Sequence, residues 1–316
     1  MSDAPRALFV NSDRIGDCVM FSGVIREIDR QLPGARITVA CGPSAAALFR
    51  AAPGVERVVP LPKKKAGGHW LDLLKAVGTT RWDMVVDIRG SGLAYLLRAR
   101  ERRIYNRRWE KGRPKVEMVS EMMRAAGTLA PEIFPDAAAR RAACAILGED
   151  LSPVLAFAPI STDPARSWPA ERWGRLIERL ARDPAFDGWR FMAVGGPGDQ
   201  PAAAPALAAA GPRGIDAVGK GDILASAAAI QRAALFVGND SGLMHVAAAA
   251  GTPTLGLFGP SEWWYKAPWG PKSRFVASSQ TRGEFQPIEA LTVDRVLAAV
   301  LSLHAEFIGG GSTTKP

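Results

Sequence analysis

The 316-residue chain is poor in cysteine and histidine, with three of each. Cys18, Cys41 and Cys144 lie far apart, without CxxC spacing and without histidine partners. Their pattern excludes a zinc site and a disulfide framework, both of which need closely and regularly spaced ligands. We therefore predict three reduced thiols in the hydrophobic core.

Long apolar runs are also absent. No stretch approaches the roughly 20 apolar residues that a membrane span needs, and the first six residues, MSDAPR, are polar. We therefore expect neither a signal peptide nor a transmembrane helix, and we expect the protein to stay in the cytoplasm.

Acidic residues are outnumbered, with 31 Asp and Glu against 40 Lys and Arg, a net charge of +9 and a pI near 9.8. Such a surface attracts anions, whether nucleic acid, anionic lipid or a phosphorylated substrate. No RNP1 run or zinc-finger spacing is present, so we predict no nucleic-acid partner. A solvated basic face with no ligand is the ordinary alternative.

Two glycine-rich segments lack a residue that their motifs require. The segment 214–221 has the GxxxxGK spacing of a P-loop, but Gly221 stands where a Ser or Thr would hold magnesium. The segment 195–198, GGPG, lacks the third glycine of a dinucleotide fingerprint. The sequence therefore argues against an ATPase and against a dehydrogenase.

Short apolar, strand-like runs alternate with segments of helical periodicity, which is typical of parallel sheets covered by helices. The strand-like runs lie at 7–12, 35–42, 55–62, 82–89, 153–159, 191–196, 235–240 and 252–259. Two such series in tandem predict an α/β protein of two doubly wound, Rossmann-like domains facing a cleft. We place them at 1–150 and 151–316, with a helix at 293–307 in the second domain or packed back on the first, and a flexible tail at 308–316.

The turn after the first strand, NSDRIGDC (11–18), places Gly16 and then Asp17 at the start of a helix. Ligands of doubly wound sheets bind at the carboxyl ends of strands, so Asp17 is well placed to act as a base. The ordinary alternative is an aspartate that caps the helix, which on propensity alone is the commoner role.

The segment 235–261 carries the densest pattern. After a strand-like run, Asp240, Ser241 and Gly242 open a helix whose free amides and positive dipole suit a diphosphate. His245 follows on the same helix. Helix capping by Asp240 and simple packing of His245 are the ordinary alternatives.

A third candidate segment, 160–173, holds two hydroxyls, Ser161 and Thr162, and a cation, Arg166, before another helix. A guanidinium pairs bidentately with phosphate oxygens, so Arg166 could neutralise a leaving diphosphate. Plain surface charge is the alternative for Arg166. Trp168 and Trp173 fit the core better than a stacking platform.

With these segments in place, the chain to about residue 305 resembles the bacterial heptosyltransferases of glycosyltransferase family 9. The resemblance rests on four motifs: RIGDCV (14–19), RSWP (166–169), GKGDI (219–223) and GNDSGLMH (238–245). It implies that Asp17 is the catalytic base. The donor-binding residues it implies are Gly16, Ser161, Thr162, Arg166, Lys220, Asp240, Ser241, Gly242 and His245.

The resemblance further implies a GT-B fold, ADP-L-glycero-β-D-manno-heptose as donor, inversion at the anomeric carbon, and no tightly bound cofactor or required metal. The implied acceptor is an anionic glycolipid of the lipopolysaccharide core at the inner membrane, where the protein would be peripheral. Candidate acceptor contacts are Lys63, Arg89, Arg113 and Lys115. Two departures are Lys115, where many members have histidine, and the aromatic run Trp263-Trp264-Tyr265.

Two other functions stay open at this point. One is a GT-B transferase that uses a UDP- or GDP-sugar, or another acceptor. The other is a protein that binds a nucleotide sugar without turning it over.

Overall fold

The computed structural model describes residues 4–106 and 112–309. The chain divides into two compact units, residues 1–134 and 135–316. The division falls before the predicted 150/151 boundary because helix α6 (Ala137–Leu147) packs against helix α9 (Ile223–Gln231) of the second unit. The predicted flexible tail lies outside the described residues from 310 onward.

The first unit is a five-stranded parallel sheet in the order β3-β2-β1-β4-β5. Its strands are β1 (Arg6–Val10), β2 (Arg36–Cys41), β3 (Val55–Pro60), β4 (Trp82–Asp87) and β5 (Ala99–Ile104). Its helices are α1 (Ile15–Met20), α2 (Val24–Gln31), α3 (Gly68–Val77), α4 (Leu93–Leu96) and α5 (Lys115–Met123).

The second unit is a six-stranded parallel sheet in the order β11-β10-β9-β6-β7-β8. Its strands are β6 (Val154–Ala158), β7 (Arg190–Ala193), β8 (Gly214–Asp216), β9 (Leu235–Asn239), β10 (Thr254–Phe258) and β11 (Ser273–Ala277). Its remaining helices are α7 (Ala170–Arg182), α8 (Gln200–Ala210), α10 (Gly242–Ala249), α11 (Trp263–Lys266) and α12 (Val293–Phe307).

Each unit has a core formed by central strands that are apolar along their whole length. Leu8 and Phe9 of β1 and Leu155 and Phe157 of β6 are fully buried, because helices cover both faces of a parallel sheet. In the second unit Trp168 and Trp173 are buried at 1% and 0% exposure, which confirms the core role predicted for them.

Helix α12, the longest in the described part of the chain at 15 residues, packs against α7, β10 and β11 of its own unit. Within residues 4–106 and 112–309, no helix has both the length and the apolar content to cross a membrane.

The strand order of each sheet reverses beside its first strand. In the first unit the reversal lies between β1 and β4, and in the second it lies between β6 and β9. The connections that follow these strand pairs leave in opposite directions and open a crevice at the carboxyl ends of the strands. The candidate segments 11–18 and 160–173 follow β1 and β6, and Asp240 follows β9, so all three lie at these reversals.

Gly42, which follows β2, lets the β1–α1 turn approach closely. A Cβ atom at this position would lie 2.4 Å from the carbonyl oxygen and 2.7 Å from the Cα of Asp13. Both are backbone atoms, so the backbone itself would have to move. The Gly42 amide also donates a hydrogen bond of 3.0 Å to the Ser12 carbonyl.

We predict that Gly42→Ala lowers the free energy of unfolding by about 1–3 kcal/mol, the usual cost of forcing extra volume into a packed site. Urea denaturation measures this change. Gly127→Ala is the matched control, because a Cβ there meets nothing within 4 Å. Equal stability of the two variants would contradict the close approach.

Candidate active site

Buried polar groups hold the β1–α1 turn in the first unit. The Asn11 side chain accepts a hydrogen bond from the Ser12 amide at 2.7 Å and donates one to the Cys18 carbonyl at 3.3 Å. The Cys18 thiol donates to the Ser12 carbonyl at 3.1 Å, and burial raises its pKa well above the ordinary value. Cys18 is therefore a structural thiol, as predicted.

Asp17 lies in the first turn of α1, with its side chain 21% exposed. Its Oδ1 atom is 2.5 Å from Lys115 Nζ, and its Oδ2 atom accepts a hydrogen bond from Ser12 Oγ at 3.3 Å. The helix has no side-chain cap. Asp17 is therefore not the capping residue that was its ordinary alternative, but a half-buried carboxylate held against a cation.

A second carboxylate, Asp13, lies in the same turn, and the motifs did not single it out. Lys63 Nζ is 2.5 Å from Asp13 Oδ2, and an Arg89 guanidinium nitrogen is 3.6 Å from Oδ1. Burial opposes ionisation of Asp13, but the hydrogen bond from Lys63 and the charge of Arg89 outweigh it, so the pKa of Asp13 is lowered.

The loop after β4 positions Arg89. The carboxylate of Asp87, which is fully buried, accepts hydrogen bonds from the amides of Arg89 and Ser91 at 2.9 and 3.0 Å and from Ser91 Oγ at 2.8 Å. The Arg89 guanidinium lies 5.4 Å from the centre of the Trp70 ring. Its orientation is thus set by a buried carboxylate and an aromatic face.

Of the four candidate acceptor residues, three meet the two carboxylates of the turn: Lys63, Arg89 and Lys115. Arg113 instead pairs with Glu121 on α5. Two further basic residues of this part of the sequence, Arg107 and Arg108, lie outside the described residues. Gly16 lies in the first turn of α1, immediately before Asp17.

In the second unit, Arg166 joins the loop after β6 to the loop after β9. One of its guanidinium nitrogens lies 3.1 Å from Asp240 Oδ2, and its Nε lies 3.1 Å from Asp163 Oδ2. Burial disfavours the charged form of Arg166, but Asp240 and Asp163 together outweigh it and raise its pKa. Arg166 is therefore not the plain surface charge of the alternative interpretation.

Two more side chains tie the same loops together. Ser161 Oγ donates to the Asp240 carbonyl at 2.9 Å. Asn239, fully buried at the end of β9, donates to the Pro159 carbonyl at 2.7 Å and accepts from the Trp168 amide at 3.2 Å. Asp240 is thus held at its side chain by Arg166 and at its backbone carbonyl by Ser161.

Helix α10 begins beside this cluster, with Ser241 at its N-cap in an extended conformation and Gly242 as its first residue. Ser241 Oγ is buried and forms no hydrogen bond with any described residue. The first amides of a helix have no partner within the helix, and its positive end favours anions. This end of α10 can therefore bind an anionic group beside Arg166.

The remaining candidate donor residues differ in exposure. His245 is buried within α10, as its packing alternative expected, and Thr162 and Lys220 are exposed. Among the residues that the structure describes, none forms an ion pair or side-chain hydrogen bond with Thr162 or Lys220. The Arg166 and Asp240 cluster therefore includes Ser161, Ser241 and Gly242 but not these two.

No group of three or more His, Cys, Asp or Glu side chains arranged to hold a metal occurs in the described ranges. Cys18 and Cys41 are buried, but Cys144 is exposed, contrary to the core position predicted for it.

The model of glycosyltransferase family 9 (heptosyltransferase) matches residues 70–286, more than half of the chain. The chain belongs to this family. The family resemblance drawn from the four motifs is therefore confirmed, and the matched range contains the Arg166 and Asp240 cluster of the second unit.

Curated relatives bear heptosyltransferase names. Lipooligosaccharide heptosyltransferase 2 of Haemophilus influenzae is 30% identical over 42% of this chain and 38% of its own. Lipopolysaccharide heptosyltransferase 2 of Salmonella typhimurium is 27% identical over 58% of each chain, so these two are matched along less than two thirds of their length. Lipopolysaccharide heptosyltransferase 1 of Pseudomonas aeruginosa is 26% identical over 81% of this chain and 79% of its own.

Solved structures share the fold. A family 9 glycosyl transferase from Veillonella parvula superposes with a TM-score of 0.81 at 20% identity, covering 97% of this chain and 99% of that one. An E. coli heptosyltransferase solved with ADP gives 0.73 at 20% identity, covering 94% and 99%. The predicted GT-B class of two Rossmann-like α/β domains is confirmed.

We predict that Asp13→Asn destabilises the protein at neutral pH and that the loss shrinks in acid. Because folding lowers the pKa of Asp13, its carboxylate stabilises the fold fully above the ordinary pKa of 3.8, and this contribution disappears as the pH falls through the lower, folded value.

Urea denaturation of both proteins between about pH 7 and pH 3 follows the difference. Asp187→Asn, at an exposed aspartate without an ion pair to any described residue, is the control. A stability difference that stays constant down to the lowest pH would contradict the ion pairing of Asp13.

Proposed function

We propose that this protein transfers a heptose from ADP-L-glycero-β-D-manno-heptose to a hydroxyl of a lipopolysaccharide-core acceptor, with inversion at the anomeric carbon. Family membership and the heptosyltransferase names of its relatives support the reaction class. A structural neighbour solved with ADP and another with ADP-2-deoxy-2-fluoro heptose support the choice of donor.

The observation that carries the proposal is the Asp17 carboxylate at the carboxyl end of β1, ion-paired with Lys115. A carboxylate held in place at this position can accept a proton from a hydroxyl bound beside it. In the proposed step, Asp17 takes the proton of the acceptor hydroxyl while the oxygen of that hydroxyl bonds to the anomeric carbon of the donor. The bond from that carbon to the diphosphate breaks on the opposite face, and a single displacement inverts the centre.

The second unit stabilises the leaving group in this proposal. Negative charge grows on the departing ADP, so a cation and helix amides directed at the diphosphate bind the transition state more strongly than the ground state. Arg166 and the amides of Ser241 and Gly242 supply both. Asp240 orients Arg166, and we propose that it also accepts a hydrogen bond from a ribose hydroxyl.

The acceptor is proposed to bind at the first unit. Lys63 and Arg89 are cations whose shared partner, Asp13, balances only part of their charge. A phosphorylated sugar can supply the remaining negative charge. We infer that the protein works in the cytoplasm at the inner membrane surface, where such an anionic glycolipid would be presented.

Replacing the proposed base should slow the transfer step without lowering the affinity for the donor. We predict that Asp17→Asn lowers kcat by about 10²- to 10⁴-fold, the usual contribution of a positioned base. The affinity for ADP should stay unchanged. ADP release measures turnover and isothermal titration measures binding.

Asp187→Asn, an exposed aspartate of the second unit, is the control for loss of one carboxylate and should retain activity. Normal turnover by a folded Asp17→Asn protein would show that Asp17 is not the base. Weak ADP binding by that variant would instead assign Asp17 to the donor.

Replacing the residue proposed to contact the diphosphate should lower the affinity for the donor. We predict that Arg166→Gln lowers ADP affinity roughly 10- to 100-fold, the value of a hydrogen bond to a charged group. The variant should also lose stability, because Asp240, buried to 4% side-chain exposure, loses its cation.

The double variant Arg166→Gln with Asp240→Asn tests whether the lost ADP affinity is only a consequence of lost stability, and Asp240→Asn alone measures what Asp240 itself contributes to ADP binding. The double variant removes both charges, so thermal stability should return while ADP affinity stays low. Recovery of ADP affinity in the double variant would mean that Arg166 acts on the fold alone.

The donor nucleotide is tested by thermal shift with ADP, UDP and GDP, together with mass spectrometry of consumed nucleotide sugars. Stabilisation by ADP and consumption of the ADP-heptose support the proposal. Preference for UDP or GDP would assign a different nucleotide sugar, and donor binding without turnover on any glycolipid extract would indicate a binding protein.

A further inference from the structure

The two carboxylates of the β1–α1 turn are not balanced by equal positive charge. Asp17 is paired with one cation, Lys115, whereas Asp13 lies between two, Lys63 and Arg89. Among the described residues, neither Lys63 nor Arg89 forms an ion pair with any other carboxylate. The group of Asp13 and its two cations therefore has one positive charge in excess.

The guanidinium of Arg89 also has hydrogen-bond donors to spare. A guanidinium carries five N–H donors, and the 3.6 Å between Arg89 and Asp13 is too long for a hydrogen bond. No described residue accepts a hydrogen bond from this guanidinium, although its side chain is only 26% exposed. Because a guanidinium binds phosphate through two parallel hydrogen bonds, Arg89 can bind an anion from outside the protein.

Arg89 is oriented by groups other than Asp13. Its amide donates a hydrogen bond to the buried Asp87 carboxylate at 2.9 Å, and its guanidinium lies 5.4 Å from the centre of the Trp70 ring. These contacts come from the end of β4 and from α3, so they persist when Asp13 is replaced. The carboxylate of Asp13 is therefore not needed to hold this cation in position.

Lys63 belongs to a loop that is also held independently of Asp13. The amide of the next residue, Lys64, donates a hydrogen bond to His69 Nδ1 at 3.4 Å, and Lys64 Nζ is 2.6 Å from Asp72 Oδ2. The Lys63 side chain is 68% exposed. Dissolved anions can reach it, so its ion pair with Asp13 can be exchanged for one with a ligand.

We propose that Asp13 is an internal competitor for the anionic group of the acceptor, and that its carboxylate occupies Lys63 and Arg89 until a phosphate of the acceptor displaces it. An acceptor carboxylate would only exchange one single charge for another. A phosphate monoester, with a charge of about −1.5 to −2 at neutral pH, matches both cations. The exchange therefore selects phosphate over carboxylate. The inference rests on the proposed function in one respect, that the anion belongs to the acceptor.

Two other roles of Asp13 predict a different effect of its removal. If the carboxylate arranges the two cations for a ligand, its loss weakens anion binding. If it only ties the β1–α1 turn to the loops after β3 and β4, its loss changes stability and leaves anion binding as it was. Internal competition alone predicts that the affinity for anions rises.

The test is isothermal titration of the full-length protein with glucose 6-phosphate and, as a sugar carboxylate, with glucuronate. Saturating ADP is present throughout, so that the anion site of the second unit is occupied. We expect the wild type to prefer glucose 6-phosphate. Asp13→Asn should bind it about 5- to 25-fold more tightly, because two surface ion pairs no longer compete and each is worth up to about fivefold.

Asp72→Asn is the matched control, because it removes a carboxylate paired with the neighbouring Lys64 and leaves Lys63 and Arg89 as they are. Its affinity for glucose 6-phosphate should stay within about twofold of the wild-type value. Adding Lys63→Gln to Asp13→Asn should abolish the gain. Unchanged or weaker binding by Asp13→Asn, shown to be folded by circular dichroism, or an equal gain in Asp72→Asn, would overturn the proposal.

A crystal structure of the wild type with glucose 6-phosphate tests the exchange without any substitution. We expect the phosphate to contact Lys63 Nζ and the Arg89 guanidinium, with the Asp13 carboxylate turned away from both. An Asp13 side chain that stays paired with Lys63 while the sugar phosphate is bound would overturn the proposal.

Transfer kinetics connect the exchange to the reaction. With a phosphorylated acceptor, Asp13→Asn should lower KM by a factor similar to its gain in affinity. A fall in kcat with unchanged KM would overturn the competition. Absence of transfer by the wild type to every acceptor would contradict the proposed function and leave the binding result with glucose 6-phosphate intact.

Discussion

The reversal of strand order beside β1 and beside β6 is the constraint on which the candidate site depends. In each sheet, the first strands are added on one side of the first strand, and the later strands are added on its other side. The connections beside this point run in opposite directions, so the carboxyl ends of two central strands are left uncovered. Into these gaps the protein directs Asp17 in one unit and Asp240 in the other. Both carboxylates are held by a cation from elsewhere in the sequence, Lys115 and Arg166. The reversal of strand order leaves the space, and the ion pairs hold the Asp17 and Asp240 side chains in it.

The buried framework could be predicted from the sequence because parallel strands covered on both faces must be apolar along their length. β1 and β9 were found for that reason. Of the four edge strands, β3 was also predicted, but β5, β8 and β11 were not: β5 reads ARERRI, and β8 has only three residues. A strand with one free edge can carry charge or be short, so it leaves no apolar signal. Cys144, exposed on α6, shows the limit of inferring burial from residue type alone.

The residues of the candidate site likewise divide into those that the sequence predicts and those that only the fold reveals. Asp17, Arg166 and Asp240 could be located because each follows a recognisable strand or lies in a family motif. Their partners could not be derived from spacing, since Lys115 meets Asp17 across 98 residues of sequence. Asp13 was missed although it lies in the same turn, because no motif includes it. Residues that act through a long-range charge pair become visible only when the fold brings them together.

The packing of α6 against α9 has a practical consequence for dividing the gene. A fragment that starts at residue 151 would lack α6, and the part of α9 that α6 covers would be exposed to water. A C-terminal half prepared for crystallisation or for isotope labelling should therefore begin by Pro135, so that the second unit keeps the helix that covers α9.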